Sequence, residues 1–194
     1  MSLIDLVNND ISDKNTYHSY LPTYEELFQH KKYANISLLE IGIYWGGSIK
    51  LWRDYFVNGH IYGVDRNNVD YLREKSIIND NRVTLITNVE AYNNNTVLNH
   101  LKNLKFDIII DDGSHVLNDM IKVIEYYLPL VKDTGMLIIE DIPSDIKDFE
   151  LSKWINALTE ATPEKYKKCI KVIDLTHIKG RGDDVLFIID LSKQ

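Results

Sequence analysis

A chain of 194 residues, 44% of them hydrophobic and 26% charged, has the composition of a soluble protein and the length for one domain with a full core. Its 22 Lys and Arg against 29 Asp and Glu leave a formal charge of −7, which argues against a general nucleic-acid binder but not against anionic small molecules. The single cysteine, Cys169, excludes an intramolecular disulfide. No apolar run approaches the ~18 residues of a membrane span, and residues 1–5 lack the basic and apolar regions of a signal peptide. These features lead to the expectation of a cytoplasmic protein with no membrane and no nucleic-acid partner.

Residues 1–35 are polar and mixed, with helical patches near 2–9 and 22–32. They are expected to form an N-terminal helical segment or flap ahead of a domain spanning 36–194. Alternation then begins. Residues 37–43 read as a strand, 48–57 as a helix with Ile49, Trp52 and Phe56 on one face, and 60–64 as a strand ending at Asp65. Residues 69–78 are weakly helical, 83–87 a strand, 90–104 a helix and 107–110 a strand. Residues 116–131 carry the clearest amphipathic pattern, with Pro129 near the end. A strand at 136–139, a helix at 147–159 and strands at 170–175 and 185–191 follow. The turn chemistry of 179–183 predicts that the last two strands form an antiparallel hairpin. The pattern predicts an α/β, Rossmann-like domain with a mainly parallel seven-stranded sheet.

Open sheets of this kind bind ligands outside the carboxyl ends of their strands. The residues expected there are Glu40, Asp65, Asn88, Asp111, Asp112, Glu140 and Asp141. Two apolar runs, 106–110 and 136–139, end in Asp111-Asp112-Gly113-Ser114-His115 and Glu140-Asp141. Buried strands that end in acids need a partner for those acids. If the two strands are adjacent, Asp112, Glu140 and Asp141 converge with His115 behind them, which suits a divalent metal and a base. The bland alternatives are a loop before Pro143 for Glu140 and Asp141, helix capping for Asp111 and Asp112, and a solvated first-turn residue for His115. Upstream, Gly42-Ile43-Tyr44-Trp45-Gly46-Gly47 lets the backbone approach a ligand closely. Its spacing is not the Gly-x-Gly-x-x-Gly of a pyrophosphate grip. Glu40 before this loop suits a ligand with an amine and a sulfonium, and Asp65 can accept ribose hydroxyls. S-adenosylmethionine (SAM) has all of these groups.

At this point the chain resembles class I SAM-dependent methyltransferases, and within them the macrocin O-methyltransferase family of metal-dependent sugar O-methyltransferases. The motifs that carry the resemblance are Ser12-Asp13-Lys14 with His18, Tyr20 and Tyr24; Leu39-Glu40-Ile41-Gly42; Gly46-Gly47-Ser48; Ile61-Tyr62-Gly63-Val64-Asp65; the two acidic stretches; and Lys179-Gly180-Arg181-Gly182-Asp183-Asp184. The resemblance implies that Asp112, Glu140 and Asp141 bind Mg²⁺ and that His115 is the general base. It implies that Asp65 holds the SAM ribose, that Glu40 and Gly42 line the methionine end with Gly46 in the same loop, and that Asn88 stands near the adenine. Asp111 either shapes the local structure or contacts the adenine side. The function implied is methyl transfer from SAM to a sugar hydroxyl of a nucleotide sugar or glycoside. A catechol-like phenol as acceptor, or a dinucleotide-binding protein without methyl transfer, are the alternatives; a homo-oligomer stays open. His18, Tyr20 and Tyr24 are either surface groups or part of a flap over the cofactor. His177 and Arg181 are expected to shape the hairpin, Trp45 to pack, and Cys169 to sit in the core.

Overall fold

The computed structural model of the protein describes residues 1–144 and 150–193. Two helices, α1 (Leu3–Leu6) and α2 (Tyr20–Phe28), precede strand β1 (Ser37–Ile41). Then come α3 (Gly47–Tyr55), β2 (His60–Val64), β3 (Val83–Ile86), α4 (Asn94–Thr96), β4 (Phe106–Asp111) and α5 (Leu117–Tyr127). The chain continues through β5 (Val131–Ile139), α6 (Leu151–Ala161), β6 (Ile170–Asp174), α7 (Thr176–Lys179) and β7 (Val185–Asp190). Among the described residues the strands form one seven-stranded sheet in the order β3-β2-β1-β4-β5-β7-β6. The first five run parallel; β7 lies antiparallel to β6, as the sequence predicts, and also antiparallel to β5. The strand order reverses between β1 and β4, which opens a crevice at their carboxyl ends. No helix among the described residues is long and apolar enough to cross a membrane.

Both faces of the sheet are covered, so its central strands are apolar on both sides. Leu38, Ile108, Ile110, Met136 and Ile138 face α2 and α3, while Leu39, Ile109, Leu137 and Ile139 face α5 and α6. The N-terminal helices belong to the first of these layers: Leu3, Tyr20, Leu21, Tyr24 and Phe28 are all buried in it. Trp52 of α3 takes Tyr24 and Phe28 edge-on, at 5.4 and 5.9 Å between ring centroids. Contacts of this kind contribute about 0.5–1.5 kcal/mol each beyond area burial. They fix α2, and with it the 12–19 loop, against the rest of the domain. Cys169 is buried, as a small core residue should be.

Several boundaries depart from the periodicity. The helix expected over 116–131 stops at Tyr127, because Pro129 falls in a 3₁₀ turn, Leu128–Leu130, that carries the chain straight into β5. β5 starts at Val131 rather than 136; Val131 pairs with Phe106 before a register shift. Gly135 marks that irregularity, since a Cβ there would meet the carbonyl oxygens of Phe106 and Asp107 at 2.9 Å. The helix expected over 90–104 is only α4 and a π turn, Val97–Leu101. The connector between β6 and β7 is not a tight turn but α7, closed by Gly180 in the left-handed region. Residues 147–149 of the helix expected over 147–159 lie outside the described residues; the described part is α6.

Candidate active site

The crevice at the carboxyl ends of β1, β2 and β4 holds a cavity of about 920 Å³. Gly42, Asp65, Asp112 and His115 line it, together with Gly47, Trp45 and the stretch Glu90-Ala91-Tyr92. Residues 9–13 and Thr16 supply a further wall from the N-terminal segment. Four of the five loops that leave the parallel strands hold a non-glycine residue at positive φ: Tyr44 (48°) after β1, Asn88 (59°) after β3, His115 (53°) after β4 and Asp141 (58°) after β5. Such conformations cost on the order of 1–3 kcal/mol and persist only where surrounding contacts over-determine them.

Those contacts are visible. Asp65 Oδ2 accepts the amides of Ile43 and Tyr44 at 2.7 and 3.0 Å, and Oδ1 accepts that of Asn67. Gly42 at φ +91° brings the loop so close to Asp112 that a Cβ would lie 2.0 Å from its carbonyl oxygen. Tyr92 donates its hydroxyl hydrogen to Asp111 at 3.0 Å and accepts the Ser114 amide at 2.7 Å, pinning the loop ahead of α5. Ser114, not Asp111 or Asp112, accepts the amide at the start of α5. Capping is therefore not what either aspartate does. Burial lifts Asp111 to about 7.

His115 lies in the loop before α5 rather than in its first turn, and 40% of its side chain is exposed. Its Nδ1 is 3.6 Å from Asp141 Oδ2 and its Nε2 is 4.0 Å from Asp112 Oδ1. These three side chains each place a possible ligand atom within 4.8 Å of the others. Behind Asp141, Tyr20 donates to its Oδ1 at 2.5 Å. His18 stacks on Tyr20 and places Nδ1 2.7 Å from Asp184 Oδ1 and 3.4 Å from Asp141 Oδ1. Burial, then the nearby Asp112, raises Asp141 to about 6. The surface reading of His18, Tyr20 and Tyr24 is overturned: all three are buried, because the aromatic layer with α3 encloses them. Arg181 shapes the connector, pairing with Asp183 through two contacts of 3.0 and 2.6 Å.

The remaining expected site residues lie away from the cavity wall. Glu140 follows β5 and points inward. It accepts the Tyr24 hydroxyl through Oε1 and the Lys14 ammonium through Oε2 at 2.6 Å. Lys14 also donates to Asp112 Oδ2 at 2.6 Å and stands 3.5 Å from Glu40 Oε1. Burial opposes charge on Lys14, but these three carboxylates outweigh it and hold its pKa well above the usual lysine range. Glu40 is enclosed between β1 and α3, bonded to Ser48 and Trp52, and burial raises it to about 7. Gly46 caps α3 and backs onto the side chain of Ile77. Asn88 turns the chain after β3, and Asp111 faces Tyr92.

Sequence reasoning assigned no role to Lys14 or Asp184, although both sit in motifs it quoted, and Tyr92 went unnoticed. A charge count at the strand ends points to the missing lysine, since so many buried acids require a buried cation.

No protein-family model matches the chain. A Streptomyces olivaceus enzyme, 8-demethyl-8-(2-methoxy-alpha-L-rhamnosyl)-tetracenomycin-C 3'-O-methyltransferase, is 33% identical over 141 residues, covering 68% of this chain and 34% of its own. Demethylmacrocin O-methyltransferase of Streptomyces fradiae is 31% identical over 134 residues, 64% of this chain and 32% of its own. The chain thus spans about a third of the length of these curated relatives. Among solved structures, the MycE methyltransferase of mycinamycin biosynthesis, in complex with Mg and SAH, superposes with a TM-score of 0.75 at 22% identity. That match covers 98% of this chain and 55% of MycE. The chain has the class I methyltransferase fold. The cavity lies where the strand order reverses, and the curated relatives that share the chain's sequence are O-methyltransferases by name.

Proposed function

We propose that this domain transfers a methyl group from SAM to a sugar hydroxyl, assisted by a divalent cation, Mg²⁺. The observation that carries the reading is His115: a partly exposed imidazole on the cavity wall, held at positive φ between two carboxylates. The residues fit both groups. A cavity of about 920 Å³ is ample for a nucleoside-sized ligand, and the Asp112 and Asp141 carboxylates supply oxygen donors of the kind a hard divalent ion takes. The O-methyltransferase names of the relatives, one of them acting on a rhamnosyl tetracenomycin, support the same reading.

When bound, SAM supplies an electrophilic methyl group and the cation acidifies a coordinated hydroxyl. Gly42, Gly47 and Asp65 would hold SAM, with Glu40 behind them. Asp112, Glu140 and Asp141 would hold the cation. His115 takes the hydroxyl proton onto a ring nitrogen, and the flanking carboxylates meet the positive charge this creates at short range. The N-terminal segment acts as a flap: residues 9–13 and Thr16 wall the cavity and keep water from the reacting oxygen.

The test is transfer of methyl-labelled SAM to a panel of glycosides and nucleotide sugars, with catechol alongside. Label is expected on a sugar hydroxyl, and it should disappear with EDTA and in His115→Ala. Label on catechol alone would move the acceptor to a phenol, and transfer indifferent to EDTA would remove the cation. A protein that failed to bind SAM by calorimetry would overturn the reading as a whole.

A further inference from the structure

Lys14 is 1% exposed, and its ammonium lies in the middle of a carboxylate pocket. It reaches Asp112 Oδ2 and Glu140 Oε2 at 2.6 Å each, and Glu40 Oε1 at 3.5 Å. Glu40 Oε1 is fully enclosed and has no hydrogen-bond partner, so one acceptor aimed into this pocket is left unsatisfied. A divalent ion binds carboxylate oxygens at roughly 2.0–2.6 Å. Any ion shared by Asp112 and Glu140 must therefore use the space that Nζ fills.

Resting on the cation reading proposed above, we infer that Lys14 is the resident cation of this pocket and competes with the divalent ion for Asp112 and Glu140. The protein is thereby assembled without metal, its acids neutralised by its own chain. Metal entry requires the ammonium to withdraw. The segment that carries Lys14 suits such a step. Lys14 sits in the 12–19 loop, whose neighbours wall the cavity, and the loop is tied down at its far end: Lys179 donates to the backbone carbonyls of Asn15 and, at 2.6 Å, His18. The long, unbranched lysine side chain swings while the backbone stays anchored. Lys14 is on this account a positioning residue that sets how tightly the site takes metal.

The experiment is Mn²⁺ binding, followed by the electron paramagnetic resonance of the free ion, in the unaltered protein and in Lys14→Met. Met keeps an unbranched side chain one atom shorter and removes the charge. Affinity is expected to rise at least tenfold in Lys14→Met. Equal or weaker binding by a folded Lys14→Met would overturn the inference. Binding by Lys14→Met but not by the unaltered protein would support it while removing the metal from the proposed function. Binding by neither would overturn both. Should Lys14→Met fail to fold, amine labelling of the unaltered protein decides the matter. Lys14 should be protected without metal and become at least fivefold more reactive with millimolar Mg²⁺; unchanged protection would overturn the inference.

Discussion

Asp112 has one oxygen in each of two environments that meet at the carboxyl end of β4. Oδ2 looks inward to a closed pocket where Glu40, Glu140, the Tyr24 hydroxyl and Lys14 satisfy one another almost entirely. Oδ1 looks toward His115 and the cavity, and Asp141 meets the same imidazole from its other side. The same residue types thus serve two ends. Inside, acids and a lysine form a network whose parts cannot be removed singly without stranding a charge. Outside, Asp141 and His115 are held in strained backbone, Asp141 bonded by Tyr20 and His115 partly exposed on the cavity wall.

Breaking the inner network should show first as lost stability. Glu140→Ala removes a partner of a buried ammonium and should cost about 3–5 kcal/mol in urea unfolding. A loss below about 1 kcal/mol would mean that the inner acids are not a closed network. The outer group should behave in the opposite way. His115→Ala should lower methyl transfer by about 10²–10⁴-fold while leaving unfolding within about 0.5 kcal/mol and SAM binding unchanged by calorimetry. Loss of SAM affinity instead would assign His115 to the cofactor. Gly42→Ala tests the seam between the two regions, since its Cβ would collide with the Asp112 carbonyl at a left-handed φ. It should cost about 1–3 kcal/mol of stability and weaken SAM binding together. The smallest effect is expected of Tyr20→Phe, which deletes the hydrogen bond to Asp141 Oδ1 and keeps the aromatic stack. It should cost about 1–2 kcal/mol and weaken Mn²⁺ binding several-fold. Stability lost with Mn²⁺ affinity intact would make Tyr20 a core residue only.

Much of this was legible in the chain because its signals are local. Apolar runs that close on acids marked β4 and β5, and the turn-rich stretch after β6 marked the antiparallel end of the sheet. Boundaries failed where a second constraint cut across periodicity: Pro129 ended α5, and the register shift opposite Gly135 lengthened β5. Lys14 carried no local signal at all. It meets Asp112 and Glu140 across 98 and 126 residues, and nothing in its own neighbourhood announces a buried ammonium.

The sequence by itself determined the order of strands and helices, the parallel sense of the sheet's first five strands and the placement of acids at strand ends. These follow from side-chain period and from the short connections a parallel sheet requires. Only the tertiary structure decided which acid faces His115 and which faces a lysine. Glu140 and Asp141 are adjacent in the chain, and the left-handed turn at Asp141 sends them to different neighbours. Where each then points depends on an N-terminal segment fixed by aromatic packing against α3, an interaction between parts of the chain that share no local pattern.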